Sequence, residues 1–526
     1  MSPHPPLRRY SWLLAGTVLS LFAMQAAWDV ALLAWVYPVL LLRFSRTGRP
    51  LPALLGVLGA TTAATLVWFA LADLLSPPLL LLAVPLALTG ALPFALDRLL
   101  APRPGQHRPW RASLVFPLAS VAAEFAVATV TPFGTIHGVL GATQASNLPL
   151  IQVASVTGVH GVSFLVAWAA SAGALLWERG LSDRAVRSVA AGAVGAVALA
   201  ATAGGARMVF APPASDTVRI AGVTASLAAW EEIVPTFREY DSLEALVAAD
   251  PDEMRERFAP VNDELLAGTA REAAAGAEVV LWPESAAFTL EADRDLLVDR
   301  VRAVAEEHGV YVNAGMSVYT EEAPHIRNQM VMVTPDGGVA WTYDKSRPIP
   351  VLEPYEPGEG VIPVADTPAG RLATAICYDA DFPGLLRQAG AADADVLLVA
   401  ANTWEGIKEM HARNAVFRAV ENGSSLFRQA SRGRSNATDH QGRTLATTDY
   451  FTTEQQTMVA YVPREGVTTV YSRIGDAFAW SCLVGLAVLV PGRWSRPGGQ
   501  RRRPVVLDGG APGAHEGASP GAEREG

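Results

Sequence analysis

Three short apolar runs in the second half of the chain each lead to a reactive side chain. The run LATAI ends at Cys377, one of two cysteines in 526 residues. The run VVLWP leads to Glu284, and WTYD leads to Lys345. Because α/β sheets present functional groups where buried strands end, a thiol, a carboxylate and an ammonium group in these positions predict nucleophilic catalysis.

Each of these residues also has a purely structural interpretation when it is taken alone. Cys377 could be a small core residue, Glu284 a helix N-cap and Lys345 a solvated strand end. Together their chemistry is complementary. A thiol with a pKa of about 8.5 needs a base, and Glu284 can take its proton and later return it to a leaving group. Lys345 and a backbone N–H, expected to be that of Tyr378, can stabilise the thiolate and a tetrahedral oxyanion.

The segment 207–472 must position these groups, and its pattern predicts an α/β domain. Short apolar runs alternate there with charged, helix-like stretches. A long helical stretch is expected at Leu243–Ala275 with a break at Asp250-Pro251. The predicted strands are Val218–Val223, Val279–Trp282, Val310–Val318, Gln329–Thr334, Val339–Tyr343, Ala373–Tyr378, Val396–Ala401, Ser425–Gln429, Ser435–Asp439 and Thr457–Val462.

The segment 1–206 has the composition of a membrane bundle. The whole chain is 50% hydrophobic and 17% charged, with a mean hydropathy of +0.23, and the apolar residues concentrate before residue 206 and at 477–492. About 20 apolar residues span the hydrocarbon of a bilayer as a helix. The predicted spans are Tyr10–Trp28, Val30–Leu42, Leu51–Ala72, Leu74–Leu96, Ser113–Thr131, Gly158–Trp177, Ser188–Ala206 and Ala477–Val490.

The arginines predict the orientation of this bundle of about eight helices. They lie in alternate connections, at 43–49, 98–111 and 179–187, and again in the tail from residue 493. The positive-inside rule then puts both termini in the cytoplasm and the domain 207–472 on the outer side. We therefore expect a bundle at 1–206, a catalytic domain at 207–472, a closing span at 473–492 and a disordered cytoplasmic tail at 493–526.

Composition also argues against several other classes of protein. The net charge of −10 and the isoelectric point near 5.5 disfavour nucleic-acid binding. Two distant cysteines give neither a disulfide framework nor zinc-ligand spacing, so no metal is expected. Glu124 interrupts the fifth predicted span. A carboxylate in that position is either functional or hydrogen-bonded to a neighbouring helix.

The order Glu284, Lys345, Cys377, with the local sequences WPES, YDK and CYD, resembles the nitrilase, or carbon–nitrogen hydrolase, superfamily and its Glu-Lys-Cys triad. The multi-span N-terminal half and the closing span narrow the resemblance to the apolipoprotein N-acyltransferase family. The segments LIQVASVTGVHGVSFL and YSRIGD are similar to that family's entries into its sixth and last spans. The resemblance covers nearly the whole chain.

The resemblance implies an αββα sandwich on an eight-helix bundle, and it implies roles for individual residues. Glu284 is the implied base, Lys345 the oxyanion-stabilising cation and Cys377 the nucleophile. Glu353 matches a second active-site glutamate, and Trp230 an early tryptophan of the domain. The residues interpreted as possible lining of the substrate pocket are Trp230, Trp404 and His411.

The reaction implied by the resemblance is an acyl transfer in two steps. Cys377 attacks a phospholipid ester to form a thioester, and the N-terminal amine of a diacylglyceryl-cysteine lipoprotein then takes the acyl chain. No metal or diffusible cofactor is implied. We expect a monomeric, multi-pass protein of the cytoplasmic membrane whose catalytic domain faces outward.

Three departures from the family pattern keep a second function open. Lys345 and Cys377 are separated by 32 positions, which leaves no room for the family's long apolar lid arm. The segment Asn402–Gly406 and the residue Asp379 also differ from the family's usual sequence. The alternatives are a membrane-tethered carbon–nitrogen hydrolase (an amidase) and another acyltransferase of the outer leaflet. A non-enzymatic scaffold is disfavoured, because it predicts a lost triad member and none is lost.

Overall fold

The computed structural model describes residues 6–101, 108–136, 138–453 and 457–489. The predicted disordered tail at 493–526 and the end of the last predicted span lie outside these residues. The described chain forms a helical part up to Phe210, an α/β part from Thr217 and a final apolar helix.

The helical part consists of seven longer helices and two single turns among the described residues. They are α1 (Pro6–Ala23), α2 (Ala31–Arg46), α3 (Pro50–Leu71), α4 (Pro77–Leu100), α5 (Pro109–Val130), α6 (Leu148–Ile151), α7 (Ala154–Thr157), α8 (Val159–Arg179) and α9 (Arg184–Phe210). Five helices, α3, α4, α5, α8 and α9, are long and apolar enough to cross a membrane. These five match the third to seventh predicted spans, which confirms a membrane bundle.

Within the described residues, the helices at the first two predicted spans are not long and apolar enough to cross a membrane, although α2 is longer than its predicted span Val30–Leu42. The run predicted to reach Trp28 ends as a helix at Ala23, because the chain turns there with the Gln25 N–H bonded to the Trp28 carbonyl at 3.0 Å. Helix α2 has 16 residues with Pro38 inside it. A total of about eight spans therefore stays a prediction.

The uncharged segment between α5 and α8 folds back into the bundle. It forms a 3-10 turn at Leu140–Gln144 followed by α6 and α7. Glu124 of α5 accepts the Leu140 N–H at 2.9 Å, and its second oxygen lies 3.7 Å from His160 Nδ1. The carboxylate thus holds the first turn of this segment, which favours the structural interpretation of Glu124.

The α/β part contains two sheets. Its strands are β1 (Thr217–Val223), β2 (Val279–Leu281), β3 (Ala287–Leu290), β4 (Tyr311–Tyr319), β5 (Arg327–Val333), β6 (Val339–Asp344), β7 (Val364–Thr367), β8 (Gly370–Ile376), β9 (Val396–Asn402), β10 (Ser425–Ser431), β11 (Arg434–Thr438), β12 (Thr444–Asp449) and β13 (Thr457–Pro463). The first sheet has the order β13-β1-β2-β4-β5-β6, with β3 also paired to β4, and the second has the order β12-β11-β10-β9-β8-β7.

Helices cover both outer faces of the paired sheets. The helices of the α/β part are α10 (Leu227–Glu239), α11 (Leu243–Val247), α12 (Pro251–Ala274), α13 (Arg294–His308), α14 (Pro383–Ala391), α15 (Lys408–Asn422) and α16 (Val470–Ile474). The final helix α17 (Ala477–Leu489) packs instead against α5 of the helical part. The predicted break at Asp250-Pro251 is confirmed. Asp250 caps α12 by accepting the N–H groups of Asp252 and Glu253.

A core of buried aliphatic side chains fills the space between the two sheets. It includes Ile220 and Leu281 from the first sheet and Leu372 and Leu398 from the second. A second core lies between the first sheet and α10 to α13. The layers are therefore those of an αββα sandwich, as predicted. Its parallel central strands β2, β8 and β9 end at the same edge, where the reactive side chains follow.

Candidate active site

Cys377 lies on a strained turn directly after β8. Its φ is +45°, a left-handed value that costs a residue with a Cβ about 1–3 kcal/mol. The buried carboxylate of Asp379 holds this turn. It accepts the Ile376 N–H at 3.0 Å, the Arg347 N–H at 2.8 Å and the Tyr343 hydroxyl at 2.7 Å. Burial nevertheless raises the pKa of Asp379 to about 6, against the effect of these hydrogen bonds.

Lys345 lies between two carboxylates and is almost fully buried. Its Nζ donates to Glu284 Oε1 and to Glu353 Oε1, both at 2.7 Å. Burial alone would lower the pKa of Lys345, but the charges of Glu284, Cys377 and Glu353 raise it well above its usual value. Lys345 is therefore a fixed cation at the candidate site.

Glu284 is held by three hydrogen bonds. Besides Lys345, its carboxylate accepts the Asn328 side-chain amide and the Asn402 backbone N–H, each at 2.7 Å. The Asn402 carbonyl in turn lies 3.5 Å from the Cys377 sulfur, which donates to it. Asn402, the last residue of β9, therefore contacts both the candidate nucleophile and the candidate base.

The thiol of Cys377 is protonated in the resting site. Burial raises its pKa well above the usual value, and the Glu284 carboxylate raises it further. Lys345 and Arg428 act in the opposite direction but are weaker. Attack by the sulfur therefore needs proton transfer to a base, and Glu284 is the carboxylate next to it.

Glu353 orients Lys345 from the side opposite Glu284. Its Oε2 accepts the Ile349 N–H at 2.7 Å, which fixes the carboxylate in place. Burial raises the pKa of Glu353, and the Lys345 ammonium offsets part of this rise. The resemblance had implied a second glutamate here, and the structure brings it to Lys345.

An apolar cavity of about 70 Å³ opens next to the Cys377 turn. Tyr378, Trp404 and His411 line it from the α/β part. Its other wall comes from the membrane helices α3 and α4, with Trp68, Phe69, Leu79, Leu82 and Leu86. Two of the three residues predicted to line a pocket, Trp404 and His411, therefore face the same cavity, and this cavity lies against the membrane bundle.

Backbone groups of the helical part fix the residues around this cavity. The Tyr378 hydroxyl donates to the Pro132 carbonyl at 2.9 Å, and Trp404 Nε1 donates to the Ala72 carbonyl at 2.6 Å. The Thr135 N–H donates to the Asp381 carbonyl at 2.8 Å. The membrane bundle thus contacts the segment that directly follows Cys377.

His411 is neutral, and only one of its two ring nitrogens lies near a polar partner among the described residues. Its Nδ1 lies 3.4 Å from the Asp381 carboxylate, whose other oxygen accepts the Asn414 side-chain amide at 2.8 Å. Burial lowers the pKa of His411 well below its usual value, and the charges of Arg428 and Lys345 lower it further. The imidazole is therefore a pocket-lining group and not a cation.

Trp230 lies at the second core, between the first sheet and α10 to α13. It packs edge-to-face against Phe288 with ring centroids 5.5 Å apart, and it adjoins the core between α10 and the first sheet. Its role as a pocket residue stays a prediction.

Three contributors to the site were missed by sequence reasoning. They are Asn328 and Asn402, which bind Glu284, and the buried Arg428, whose charge acts on Cys377. Asn328 and Arg428 lie inside ordinary strands, so no local pattern marks them. Asn402 ends a buried strand, and that position is the signal that could have identified it.

Family models match both halves of the chain. Residues 15–172 match the N-terminal domain of apolipoprotein N-acyltransferase, and residues 243–471 match the carbon–nitrogen hydrolase domain. An apolipoprotein N-acyltransferase of Geobacter metallireducens is 28% identical over 421 residues, which cover 74% of this chain and 75% of that protein. The chain belongs to the apolipoprotein N-acyltransferase family of the carbon–nitrogen hydrolase superfamily.

Two further relatives match the α/β part alone. A deaminated glutathione amidase of Yersinia enterocolitica is 30% identical over 196 residues, which cover 32% of this chain and 68% of that protein. The solved structure of an amidase from Nesterenkonia sp. has 20% sequence identity and a TM-score of 0.39, and the match covers 51% of this chain and 98% of the amidase.

Proposed function

We propose that the protein transfers an acyl chain from a phospholipid to the N-terminal amine of a diacylglyceryl-cysteine lipoprotein. One observation supports a phospholipid as the acyl donor. The buried cluster around Cys377 adjoins an apolar cavity whose far wall is made by the membrane helices α3 and α4. A reactive thiol in this position can be reached by a lipid ester that stays within the bilayer.

In the first step, the Cys377 sulfur attacks the carbonyl carbon of the lipid ester. Glu284 takes the thiol proton as the carbon–sulfur bond forms. The Lys345 ammonium and the Tyr378 N–H stabilise the oxyanion of the tetrahedral intermediate. The ester carbon–oxygen bond then breaks, Glu284 returns the proton to the leaving oxygen, and a lysophospholipid departs from the thioester.

In the second step, the acceptor amine attacks the thioester carbonyl. Glu284 takes a proton from the attacking nitrogen, the carbon–sulfur bond breaks, and the proton returns to the Cys377 sulfur. Glu353 keeps Lys345 in position throughout, because it binds the ammonium from the side away from Glu284. The product is an N-acylated lipoprotein and the free enzyme.

The proposed topology follows from the arginines. With connections 43–49, 98–111 and 179–187 in the cytoplasm, the catalytic domain 207–472 faces outward and meets lipid donors in the outer leaflet of the cytoplasmic membrane. Both termini are cytoplasmic in this proposal. The protein acts as a monomer, since Glu284, Lys345 and Cys377 all come from one chain.

An acceptor assay tests the proposal. The purified protein is incubated with phospholipid and a synthetic peptide that begins with diacylglyceryl-cysteine, beside the same peptide with an acetylated amine. We expect one acyl chain to be added to the free-amine peptide and none to the acetylated one. Fatty-acid release without peptide acylation, together with turnover of simple amides, would contradict the proposal and support a membrane-tethered hydrolase.

A further inference from the structure

A second cavity lies between the C-terminal end of α5 and the segment 382–385, which follows the Cys377 turn. Its volume is about 210 Å³. The membrane helices contribute Phe125, Thr129 and His160, and the α/β part contributes Arg347, Phe382 and the first turn of α14. Polar and charged groups line this cavity, in contrast to the apolar cavity beside Trp404.

Arg347 brings an unpaired positive charge to this cavity. Its guanidinium lies over the Phe382 ring at 5.1 Å, and within the described residues it has no carboxylate partner. Its backbone N–H donates to Asp379, two residues after Cys377. The cation is therefore exposed to solvent but tied to the catalytic turn.

The first turn of α14 adds a second attraction for an anion. Pro383, Gly384 and Leu385 line the cavity, and they begin a nine-residue helix. A Cβ at Gly384 would meet no atom within 4 Å, so the space in front of this helix is open. The positive end of a helix dipole favours phosphate and carboxylate groups. Pro383 has no N–H, and the Leu385 and Leu386 N–H groups donate to the Phe382 carbonyl at 3.0 and 3.2 Å, so the Gly384 N–H is the donor that this turn offers a ligand.

A buried imidazole lines the same space. His160 is 1% exposed, and its Nδ1 has no hydrogen-bond partner among the described residues, with the nearest Glu124 oxygen at 3.7 Å. A buried polar atom without a partner costs free energy unless a ligand or water satisfies it. The His160 ring lines this cavity, but its unpartnered Nδ1 faces the Glu124 carboxylate, which lines a different cavity.

One negative group also lines the cavity. Asp476 contributes its carboxylate, which accepts the Tyr471 hydroxyl at 3.0 Å. The lining therefore carries both charges, positive at Arg347 and the start of α14 and negative at Asp476. A headgroup that carries a phosphate and an ammonium group matches both charges.

We propose that this cavity binds the phosphodiester headgroup of the acyl-donor lipid through Arg347 and the N-terminal turn of α14. The inference rests on the proposed function, because it assigns the headgroup of that reaction's donor. A phospholipid carries its esters and its phosphate on one three-carbon glycerol. Phe382 lines the polar cavity and Tyr378 lines the apolar one, and their rings pack edge-to-face with centroids 5.2 Å apart. One lipid can therefore place its phosphate in the first cavity and its acyl chain in the second.

The test compares two donors that differ only in the headgroup. Thioester formation on the full-length protein in detergent micelles is timed by intact mass with phosphatidylethanolamine and with diacylglycerol of the same chains. We expect Arg347→Gln to slow loading from the phospholipid by about tenfold or more, the loss of one charge-assisted hydrogen bond, and to leave loading from diacylglycerol unchanged. Arg347→Lys should retain part of the rate.

Matched variants distinguish this effect from a general loss of charge. Arg238→Gln removes an exposed arginine of α10 and should change neither rate. Gly384→Asp places a negative charge at the start of α14, where it stabilises the helix but repels a phosphate. It should slow loading from the phospholipid alone. Equal effects of Arg347→Gln on both donors, or none on either, would overturn the assignment.

A binding measurement separates this inference from the proposed function. The Cys377→Ala protein cannot form a thioester, so its affinity for short-chain phosphatidylethanolamine and for short-chain diacylglycerol reports recognition alone. Preference for the phospholipid that Arg347→Gln removes would support the headgroup site even if the wild type forms no thioester. Equal affinity for both lipids would contradict it.

Discussion

Lys345 is the single residue on which the electrostatics of the site depend. It is buried between Glu284 and Glu353, each 2.7 Å from its ammonium group. Lys345→Met leaves two carboxylates beside the thiol with no cation between them, so both the base and the oxyanion lose their support. We expect the rate of thioester formation to fall by about 10³-fold. Intact mass spectrometry against time measures this rate.

Lys408 provides the matched control for this change. It is the first residue of α15, pairs with Asp449 at 2.8 Å and packs over the Phe451 ring. Lys408→Met should keep the loading rate within about twofold, because this ion pair includes none of Glu284, Lys345 and Cys377. A similar loss in both variants would show that Lys345 acts through stability and not through catalysis.

Asp379 makes a prediction about stability and pH. Its folded pKa of about 6 lies above its ordinary value of 3.8, so the folded protein binds this proton more tightly than the unfolded chain does. The contribution of protonated Asp379 to the free energy of unfolding is fully present below about pH 4 and is lost as the pH rises through about 6. The difference in melting temperature between wild type and Asp379→Asn should therefore shrink from pH 4.5 to pH 7.5. A difference that grows with pH would contradict the assignment.

Helix α15 joins the two halves of the molecule through one buried carboxylate. Glu421 accepts the Val159 N–H at the start of α8 at 2.8 Å, and it lies 2.8 Å from the buried Arg418 guanidinium. Both side chains of this pair are buried. Burial raises the pKa of Glu421 to about 7. This residue caps a membrane helix from the catalytic domain.

A double-mutant cycle tests this connection. Glu421→Ala leaves the Arg418 charge buried and unpaired, which should lower the free energy of unfolding by about 3–5 kcal/mol. Arg418→Met combined with Glu421→Ala removes both charges and should cost less than the sum of the two single losses. Thermal unfolding in detergent is measured for the wild type, the two single variants and the double variant. Strictly additive losses would show that the two side chains do not act as a pair.

The strands differed in how well the sequence predicted them. Strands such as β8 and β9 are continuous apolar runs, so their positions and the residues at their ends were predictable. Strands β3, β7 and β12 were missed. β7 and β12 contain Asp and Thr, lie towards the edge of their sheet and are only partly buried, so no alternation marks them.

The sequence predicted the reactive groups of the site but not the residues that bind and orient them. Glu284, Lys345 and Cys377 follow strand ends that the sequence marks clearly. Asn328, Asn402 and Arg428 reach the site from strands distant in sequence, and only the folded sandwich brings them together. The alignment of the bundle with the catalytic turn, through Pro132, also depends on tertiary contacts alone.

The proposed topology of the whole molecule predicts which positions lie on each side of the membrane. Both native cysteines are buried, so a cysteine introduced at an exposed position can be labelled selectively. Asp252→Cys on α12 should react with a membrane-impermeant maleimide in intact cells, because we place the catalytic domain outside. Ser182→Cys, in the connection between α8 and α9, should react only after the cells are opened. The reverse pattern would contradict the orientation that the arginines predict.

The acyl-enzyme at Cys377 is the intermediate through which the whole account passes. The most direct measurement is intact-protein mass spectrometry of the wild type and Cys377→Ala, each incubated with phospholipid and then with a diacylglyceryl-cysteine peptide. We predict a mass increase of one acyl chain on the wild type alone, which disappears when the peptide is added. A wild-type protein that gains no acyl mass, or a Cys377→Ala protein that gains the same mass, would contradict the account.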